Sequence, residues 1–427
     1  MKYTLTTILA LITCFVVNAQ TYDNHFEDAT LRVDLTFAGS ADEQFVALKE
    51  LSSTPHWWGR RINLDTVPMR GNGDLTLRNA QGEVIYMTSF SSLFQEWITT
   101  PEAATSVRSF EFTLLCPMPR EAATMEVTLR NNHGEVACTL RHNLNPDDVL
   151  IRDRADVEPL PHHYLHRGGD SRNCIDVVFL AEGYTAEEME LFLKDAQTAT
   201  DEILHYEPFN EHRDKFNFIA VESASKHSNV SVPQDEAWRV TAVKSNFMTF
   251  YMERYLTSDA VYSMYDIVTN IPCEHLIILA NTDTYGGGGI YNSYTLTTAH
   301  HPAFKPVVVH EFGHSFGGLG DEYFYAGGDQ NDEMHSLKHE PWEPNITTLV
   351  DFESKWADMV DKDVEIPTAV TAERSANYTV GVYEGGGYRS KGIYRPADVC
   401  RMRNNTADRF CPVCQRALER VILHQAE

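Results

Sequence analysis

Hydrophobic and polar residues alternate along the first third of the chain. Between residues 22 and 145, apolar residues occur at almost every second position of stretches such as TLRVDLTFAG and TMEVTLRNNHGEVACTLRHNL. Turn sequences such as NAQGE and NNHGE lie between or within these stretches. Period-two alternation places apolar side chains on one face of a strand. The pattern therefore predicts an antiparallel β-sandwich over residues 20–150.

A different pattern follows a charged, Pro- and Gly-containing segment, residues 146–172, which we expect to be an interdomain linker. CIDVVFLAEGY (174–184) is almost continuously apolar, as in a strand buried on both faces. Thr185 then occupies an N-cap position before a long amphipathic segment, which predicts a helix. Further strands are predicted at KFNFIAVESA and HLIILANT, with a helix near TAVKSNFMTFYMERYL between them. Alternating strands and helices predict an α/β domain over residues 160–427, and an α+β or α/β fold overall.

The first nineteen residues have the pattern of an export signal. Lys2 precedes an apolar run from Ile8 to Val17, and the small residue Ala19 follows. We expect cleavage after Ala19 and a secreted, periplasmic or cell-surface protein. A lipid anchor at Cys14 is less favoured because the apolar run continues beyond it. No later apolar stretch is long enough to span a membrane.

Charge and cysteine content narrow the choice of partners. The chain has 61 acidic and 35 basic residues and a formal net charge of -26, which would repel a nucleic-acid backbone. We expect a monomer that acts on a protein or peptide. Of eight cysteines, seven remain without Cys14, and disulfides among them are expected in an exported protein. A second zinc site at Cys400, Cys411 and Cys414 is the alternative, but the sequence shows no evident fourth ligand.

The stretch VVVHEFGHSFGGLGDEYFY, residues 307–325, carries the strongest chemical signal. Pro306 suits the first turn of a helix. His310 and His314 are four residues apart, so their imidazoles project from one helical face and can hold one cation. A catalytic zinc ion takes three protein ligands and a water, and Glu311 is placed to take the proton of that water.

The residues after this pentapeptide make the pattern more specific than a chance occurrence of His-Glu-x-x-His. Glycines in SFGGLGDEY allow the chain to turn back and deliver Asp321 as an oxygen ligand. Glu322 is the alternative third ligand, in which case Asp321 would orient a histidine. The acidic run DEYFYAGGDQNDE could also hold Ca²⁺, although a solvated loop is the simpler interpretation.

Two further segments are predicted to complete the site. Gly287, Gly288 and Gly289 follow an apolar strand and can form a rim strand whose backbone binds an extended substrate; a flexible surface loop is the alternative. Met402 lies in a turn bounded by cysteines and can form an apolar floor below the metal.

Together these segments resemble the IgA peptidase family of zinc metallopeptidases, which is related to the metzincins. The resemblance is carried by VVFLAEGY, NTDTYGGGG, HEFGHSFGGLGDEY, CRMR and FCPVC, and TYDNHFEDATLRVDLTF resembles the start of that family's β-rich N-terminal domain. It implies a metzincin-like catalytic domain in which His310, His314 and Asp321 bind zinc. It also implies that Glu311 is the general base and that Met402 lies in the Met-turn. In ordinary metzincins the third ligand would fall at Gly320, which has no side chain, so the role moves to Asp321.

Three functions are consistent with these patterns. The first is an exported zinc endopeptidase. The second is an exported binding or adhesion protein of the cell surface with a structural or latent zinc site. The third keeps zinc hydrolysis but acts on short peptides or cell-wall peptides. A shared catalytic unit does not transfer its substrate, so immunoglobulin A is not implied.

Overall fold

A computed structural model of the chain describes residues 22–325 and 335–426. The predicted export signal, including Cys14, lies outside the described residues. Among the helices of the described ranges, none is long and apolar enough to cross a membrane.

Two four-stranded sheets form the N-terminal part of the protein. The strands are β1 (Phe26–Gly39), β2 (Gln44–Pro55), β3 (Gly73–Arg78), β4 (Val84–Phe90), β5 (Arg108–Pro119), β6 (Ala123–Arg130), β7 (Val136–Leu144) and β8 (Arg152–Asp153). One sheet has the order β5-β1-β2-β8 and the other β4-β3-β6-β7. Two short helices, α1 (Tyr22–His25) and α2 (Leu93–Trp97), accompany them.

The alternating sequence pattern becomes alternating burial in these strands. Along β6, every buried residue is followed by a half-buried one. Apolar side chains of both sheets belong to one buried cluster, in which the Phe112 ring lies 4.8 Å from that of Phe37 and 4.6 Å from that of Phe90. The predicted mixture of α and β structure is confirmed. The sandwich arrangement stays an interpretation, which this common core supports.

A six-stranded sheet forms the centre of the C-terminal part. Its strands are β9 (His162–Arg167), β10 (Ile175–Glu182), β11 (Phe216–Val221), β12 (His275–Ala280), β13 (Gly287–Ile290) and β14 (Tyr294–Thr298). The order is β13-β14-β12-β10-β11-β9. The four inner strands are parallel, and β13 and β9 are antiparallel to their neighbours. All residues of β10, β11 and β12 are buried, which explains their continuous apolar sequences.

Helices pack against this sheet and position the site. They are α3 (Met189–Ile203), α4 (Val261–Ile267), α5 (Phe304–Gly317), α6 (Ala372–Ala376) and α7 (Pro412–Gln425), and a strand pair, β15 (Tyr383–Gly386) and β16 (Arg389–Arg395), lies near the C-terminus. Thr185 and Glu188 form a capping box at a short 3₁₀ turn that leads into α3, so the predicted helix N-cap at Thr185 is confirmed. Helix α5 contacts β13, β14, α3 and α7.

The prediction of a helix near residues 241–256 is wrong. The chain there bends, and Met248 and Phe250 have left-handed backbone angles. The reason is the buried Glu182 carboxylate, which accepts hydrogen bonds from the backbone N–H groups of Val243 and Ser245 at 2.8 Å. These amides therefore donate to a carboxylate instead of to a helical carbonyl, and the neighbouring helix, α4, begins only at Val261.

The linker expected at residues 146–172 instead contains β8 and β9. Strand β9 is a partly exposed edge strand, and its polar sequence HHYLHR hid it from the hydrophobic pattern. The same buried cluster that joins the N-terminal sheets also includes Val178 and Ile278 of the six-stranded sheet. The predicted boundary near residues 150–160 stays a prediction, but the two parts share a continuous core.

Candidate metal centre and active-site cavity

Helix α5 places two histidines on one face. Pro306 lies in its first turn, as predicted, and the apolar side chains of Val308, Phe312 and neighbouring residues are buried in the core. The imidazole rings of His310 and His314 are 4.7 Å apart, and their Nε2 atoms are separated by 3.1 Å. The spacing of four residues thus produces convergent nitrogen atoms.

A glycine turn brings Asp321 back to the same point. Gly318 ends α5 with a left-handed φ of 57°, which favours glycine. The Asn345 amide accepts from the Gly320 N–H at 2.7 Å and donates to the Gly320 carbonyl at 2.9 Å. After this turn, Asp321 Oδ1 lies 3.0 Å from Nε2 of His310 and 3.3 Å from Nε2 of His314.

The outer hydrogen bonds orient these three side chains. Nδ1 of His310 lies 3.0 Å from the carbonyl oxygen of Arg401, and Nδ1 of His314 bonds to that of Leu319. A carbonyl only accepts, so each Nδ1 donates to its carbonyl partner, and each Nε2 is turned towards Oδ1 of Asp321. The Tyr388 hydroxyl donates to Oδ2 of Asp321, which leaves Oδ1 for the common point.

This donor set fits a zinc ion. Ligands at about 2.0–2.1 Å from a tetrahedral zinc lie about 3.3 Å apart, close to the separations of 3.0–3.3 Å between the Nε2 atoms and Oδ1. Oδ1 of Asp321 is buried without a well-aligned hydrogen bond among the described residues. Burial alone would raise the pKa of Asp321, but His314 and His310 hold it well below its ordinary value. A negative oxygen with two imidazoles is a typical ligand set for this ion.

Glu311 lies beside His310, His314 and Asp321, at the wall of the cavity. A Cβ atom on Gly287 would lie only 2.9 Å from Glu311 Oε1, so β13 packs directly against this carboxylate. Burial raises the pKa of Glu311 above its ordinary value, and the charges of His310 and His314 oppose that shift. The structure thus brings Glu311 to the histidines and Asp321, as the motif predicted.

These residues open into a cavity of about 720 Å³. Its walls come from distant parts of the chain: α2 and Thr99, β13, the segment around residues 252–255, and residues 319–321, 323–325, 335, 341–343, 388 and 403–405. The N-terminal part of the protein therefore contributes directly to the wall of the site. A groove of this size can enclose several residues of a peptide.

The predicted rim segment forms β13, which lies at one edge of the six-stranded sheet. It pairs with β14 on one side, and an isolated bridge joins Gly287 to Tyr255. Gly287, Gly288 and Gly289 line the cavity. The absence of side chains also lets β13 pack closely against α5, because a Cβ on Gly289 would overlap the Glu311 carbonyl oxygen and lie 2.8 Å from His314 Cβ.

Met402 is fully buried below α5. A Cβ atom on Gly313, which lies between the two histidines in the helix, would be 2.8 Å from Met402 Sδ. The Met402 carbonyl accepts from the Glu322 N–H at 2.9 Å. The methionine therefore lies under the helix turn that carries the histidines, the position expected for a floor.

The side chain of Glu322 does not join the histidines. Its Oε1 lies 3.1 Å from Cys414 Sγ and 3.0 Å from Asn345 Nδ2. The expected disulfides are not formed among the described residues, since all seven cysteines there are free. Most of the acidic run considered for Ca²⁺, residues 326–333, lies outside the described residues, and Asp321 and Glu322 are already engaged.

Three cavity residues were not anticipated from the sequence. Tyr388 follows the glycines of EGGGY, which gave a turn signal but no chemical one. Arg254 donates to the Tyr325 hydroxyl at the cavity wall. Glu96, whose pKa burial raises to about 7, accepts from the Tyr255 hydroxyl. Their roles depend on contacts between distant segments, which no local motif reports.

The chain matches two protein-family models. Residues 164–375 and 368–422 match the family described as IgA Peptidase M64. Residues 21–141 match the model described as Peptidase M64 N-terminus. The first match alone extends over more than half of the chain. No match is found among curated proteins.

Proposed function

Because the chain belongs to the M64 family of IgA peptidases, and is therefore a peptidase, we propose that it is a zinc-dependent endopeptidase. The observation that carries the proposal is the convergence of His310, His314 and Asp321 beside Glu311 in one cavity. The two histidines and Asp321 would hold the zinc ion. A bound zinc ion would supply Lewis acidity, which polarises the scissile carbonyl and increases the acidity of the attacking water.

Glu311 is assigned the role of general base. Glu311 follows His310 in the sequence and lines the cavity. Its carboxylate can there accept a proton from the attacking water and deliver it to the leaving amine. Tyr388 acts as a positioning residue, because its hydroxyl holds Oδ2 of Asp321 while Oδ1 faces the histidines. Met402 supports the same helix turn from below.

An extended peptide is the substrate that the cavity suits. Strand β13 is an edge strand of its sheet, and the part of its outer side beyond the bridge between Gly287 and Tyr255 could form backbone hydrogen bonds with a peptide of any sequence. Glu96 from the N-terminal part and Arg254 also line the cavity. We therefore assign the N-terminal part, interpreted as a β-sandwich, a share in substrate selection. Cleavage within a chain fits a cavity of about 720 Å³, which can hold residues on both sides of the cleaved bond.

We also propose that the protein is exported and acts outside the cytoplasm. Support comes from the apolar segment Ile8–Val17 followed by Ala19. N-terminal sequencing of the protein recovered from its native cells should begin at Gln20. Recovery of an uncleaved chain from the cytoplasm would contradict this part of the proposal.

The decisive test compares wild type with Glu311→Gln on a mixed-sequence peptide library. Both proteins should have the same zinc content, and only wild type should cleave. Glu190→Gln is the matched control, because Glu190 is exposed on α3 and should cleave like wild type. Cleavage by Glu311→Gln at the wild-type rate would refute the assigned base. Zinc without cleavage in wild type would favour the binding or adhesion protein instead, and exclusively terminal products would favour a trimming enzyme.

A further inference from the structure

Three cysteines and a glutamate converge at a second point in the C-terminal part. Cys400 precedes the turn of Met402, Cys411 and Cys414 lie at the start of α7, and Glu322 follows the glycine turn. One ligand atom from each of these four residues lies within 4.8 Å of all the others, and all four residues are buried. We call Glu322, Cys400, Cys411 and Cys414 the sulfur–carboxylate cluster.

The separations in this cluster match a tetrahedral metal site. Zinc–sulfur bonds of about 2.3 Å place two sulfur ligands about 3.8 Å apart, and a zinc–oxygen bond of about 2.1 Å gives an oxygen-to-sulfur distance of about 3.6 Å. The Sγ atoms of Cys400 and Cys414 are 3.8 Å apart. Oε1 of Glu322 is 3.1 Å from Cys414 Sγ and 3.9 Å from Cys411 Sγ. The two oxygen-to-sulfur distances thus lie below and above the value of about 3.6 Å for a tetrahedral zinc.

Among the described residues, the Glu322 carboxylate accepts from Asn345 Nδ2 through its Oε1 atom but forms no ion pair with a cation. Its side chain is fully buried, and its Oε2 atom has no hydrogen-bond partner there. The neighbouring cation, Arg395, is instead engaged by Asp398 and by the carbonyl of Gly385. Burying a carboxylate is costly unless the charge is paired or coordinates a metal. A cation within the cluster would remove this cost.

We propose that the sulfur–carboxylate cluster binds a second, structural zinc ion. Sulfur ligands select soft or borderline metals such as zinc, and four protein ligands leave no position for a reacting water. Cys411 and Cys414 have the C-x₂-C spacing of many zinc sites. The fourth ligand, Glu322, lies far upstream in the sequence, which is why no fourth ligand was evident there and the expected export favoured a disulfide.

A second zinc would connect three segments around the cavity. Glu322 is adjacent to Asp321, and its N–H donates to the carbonyl of Met402 at 2.9 Å. Cys400 lies two residues before Met402, and Cys414 belongs to α7. The ion would thus join the turn of the third ligand to the floor of the site and to the C-terminal helix. This inference does not depend on peptidase activity.

The test removes the two metal sites separately in the full chain. Wild type should contain about two zinc ions per chain, and His310→Ala/His314→Ala about one. X-ray absorption of the zinc left in that double variant should show sulfur neighbours at about 2.3 Å. Cys414→Ser should also lose one ion, whereas Cys138→Ser, whose cysteine lies in β7 outside the cluster, should keep both.

Either of two results would overturn the inference. One is a double variant that contains no zinc or contains zinc without sulfur neighbours. The other is peptide mapping of wild type that finds a disulfide within the cluster. If Cys414→Ser does not fold, the double variant still decides, because its cluster is intact. Inactive wild type with sulfur-bound zinc in the double variant would refute the proposed peptidase alone.

Discussion

Gly287→Ala should slow the reaction while leaving the fold intact. The added Cβ would lie 2.9 Å from Oε1, 3.0 Å from Cγ and 3.1 Å from Cδ of Glu311. Ordinary contacts between heavy atoms are about 3.5 Å or longer, so the carboxylate must move by roughly 0.5 Å. Gly287 does not have a positive φ, so the substitution introduces no backbone strain.

The size of the effect follows from that displacement. A misplacement of about 1 Å can cost about 100-fold in rate, so we expect a loss of about 10-fold in kcat/KM. The free energy of unfolding should change little, because the methyl group meets the end of a flexible side chain. The assay is cleavage of one library-derived peptide, with thermal unfolding measured on the same preparations.

Two other glycines of β13 provide the comparison. A Cβ on Gly288 would meet the Tyr255 ring at 2.7 Å and not Glu311, so Gly288→Ala should keep more activity than Gly287→Ala. A Cβ on Gly289 would overlap helix backbone, so Gly289→Ala should cost about 1–3 kcal/mol of stability. Wild-type kcat/KM in Gly287→Ala, with Glu311→Gln inactive, would refute the argument that β13 positions Glu311.

Three further outcomes can be measured. Tyr388→Phe removes the hydroxyl that donates to Asp321 and should weaken zinc binding at the active site about 10- to 100-fold in a chelator competition, whereas Tyr325→Phe should not. Burial lowers the pKa of His275 to about 4, so its stabilising contribution is present above pH 6.5 and is lost as the pH falls towards 4. His275→Gln should therefore flatten the pH dependence of unfolding by up to about 3 kcal/mol; an unchanged slope would contradict this assignment. Chelation should abolish cleavage and added zinc should restore it; full activity after complete zinc removal would contradict a zinc enzyme.

Errors in the sequence interpretation have identifiable physical causes. The segment after residue 240 contains apolar residues at a spacing that suggested a helix, yet its amides bind the buried carboxylate of Glu182. Strand β9 was missed because an edge strand exposes polar side chains. In both cases a tertiary contact or an edge position overrode the local pattern.

Local geometry allowed much of the candidate site to be predicted from the sequence. The four-residue spacing of His310 and His314 specifies one helical face. The glycines that follow permit a sharp turn, and this turn makes Asp321 available as a ligand. Continuous apolar runs likewise indicated the buried parallel strands, because both faces of such strands are covered.

Tertiary structure alone decided which distant groups meet. The sequence left Asp321 and Glu322 as alternatives, because adjacent residues differ only in the direction of their side chains. Folding directs Asp321 towards the histidines and Glu322 towards the cysteines. Glu96 and Tyr388 reach the same cavity from opposite ends of the chain. Spacing of a few residues encodes local direction, whereas contacts between remote segments arise only when the sheets and helices pack around a common core.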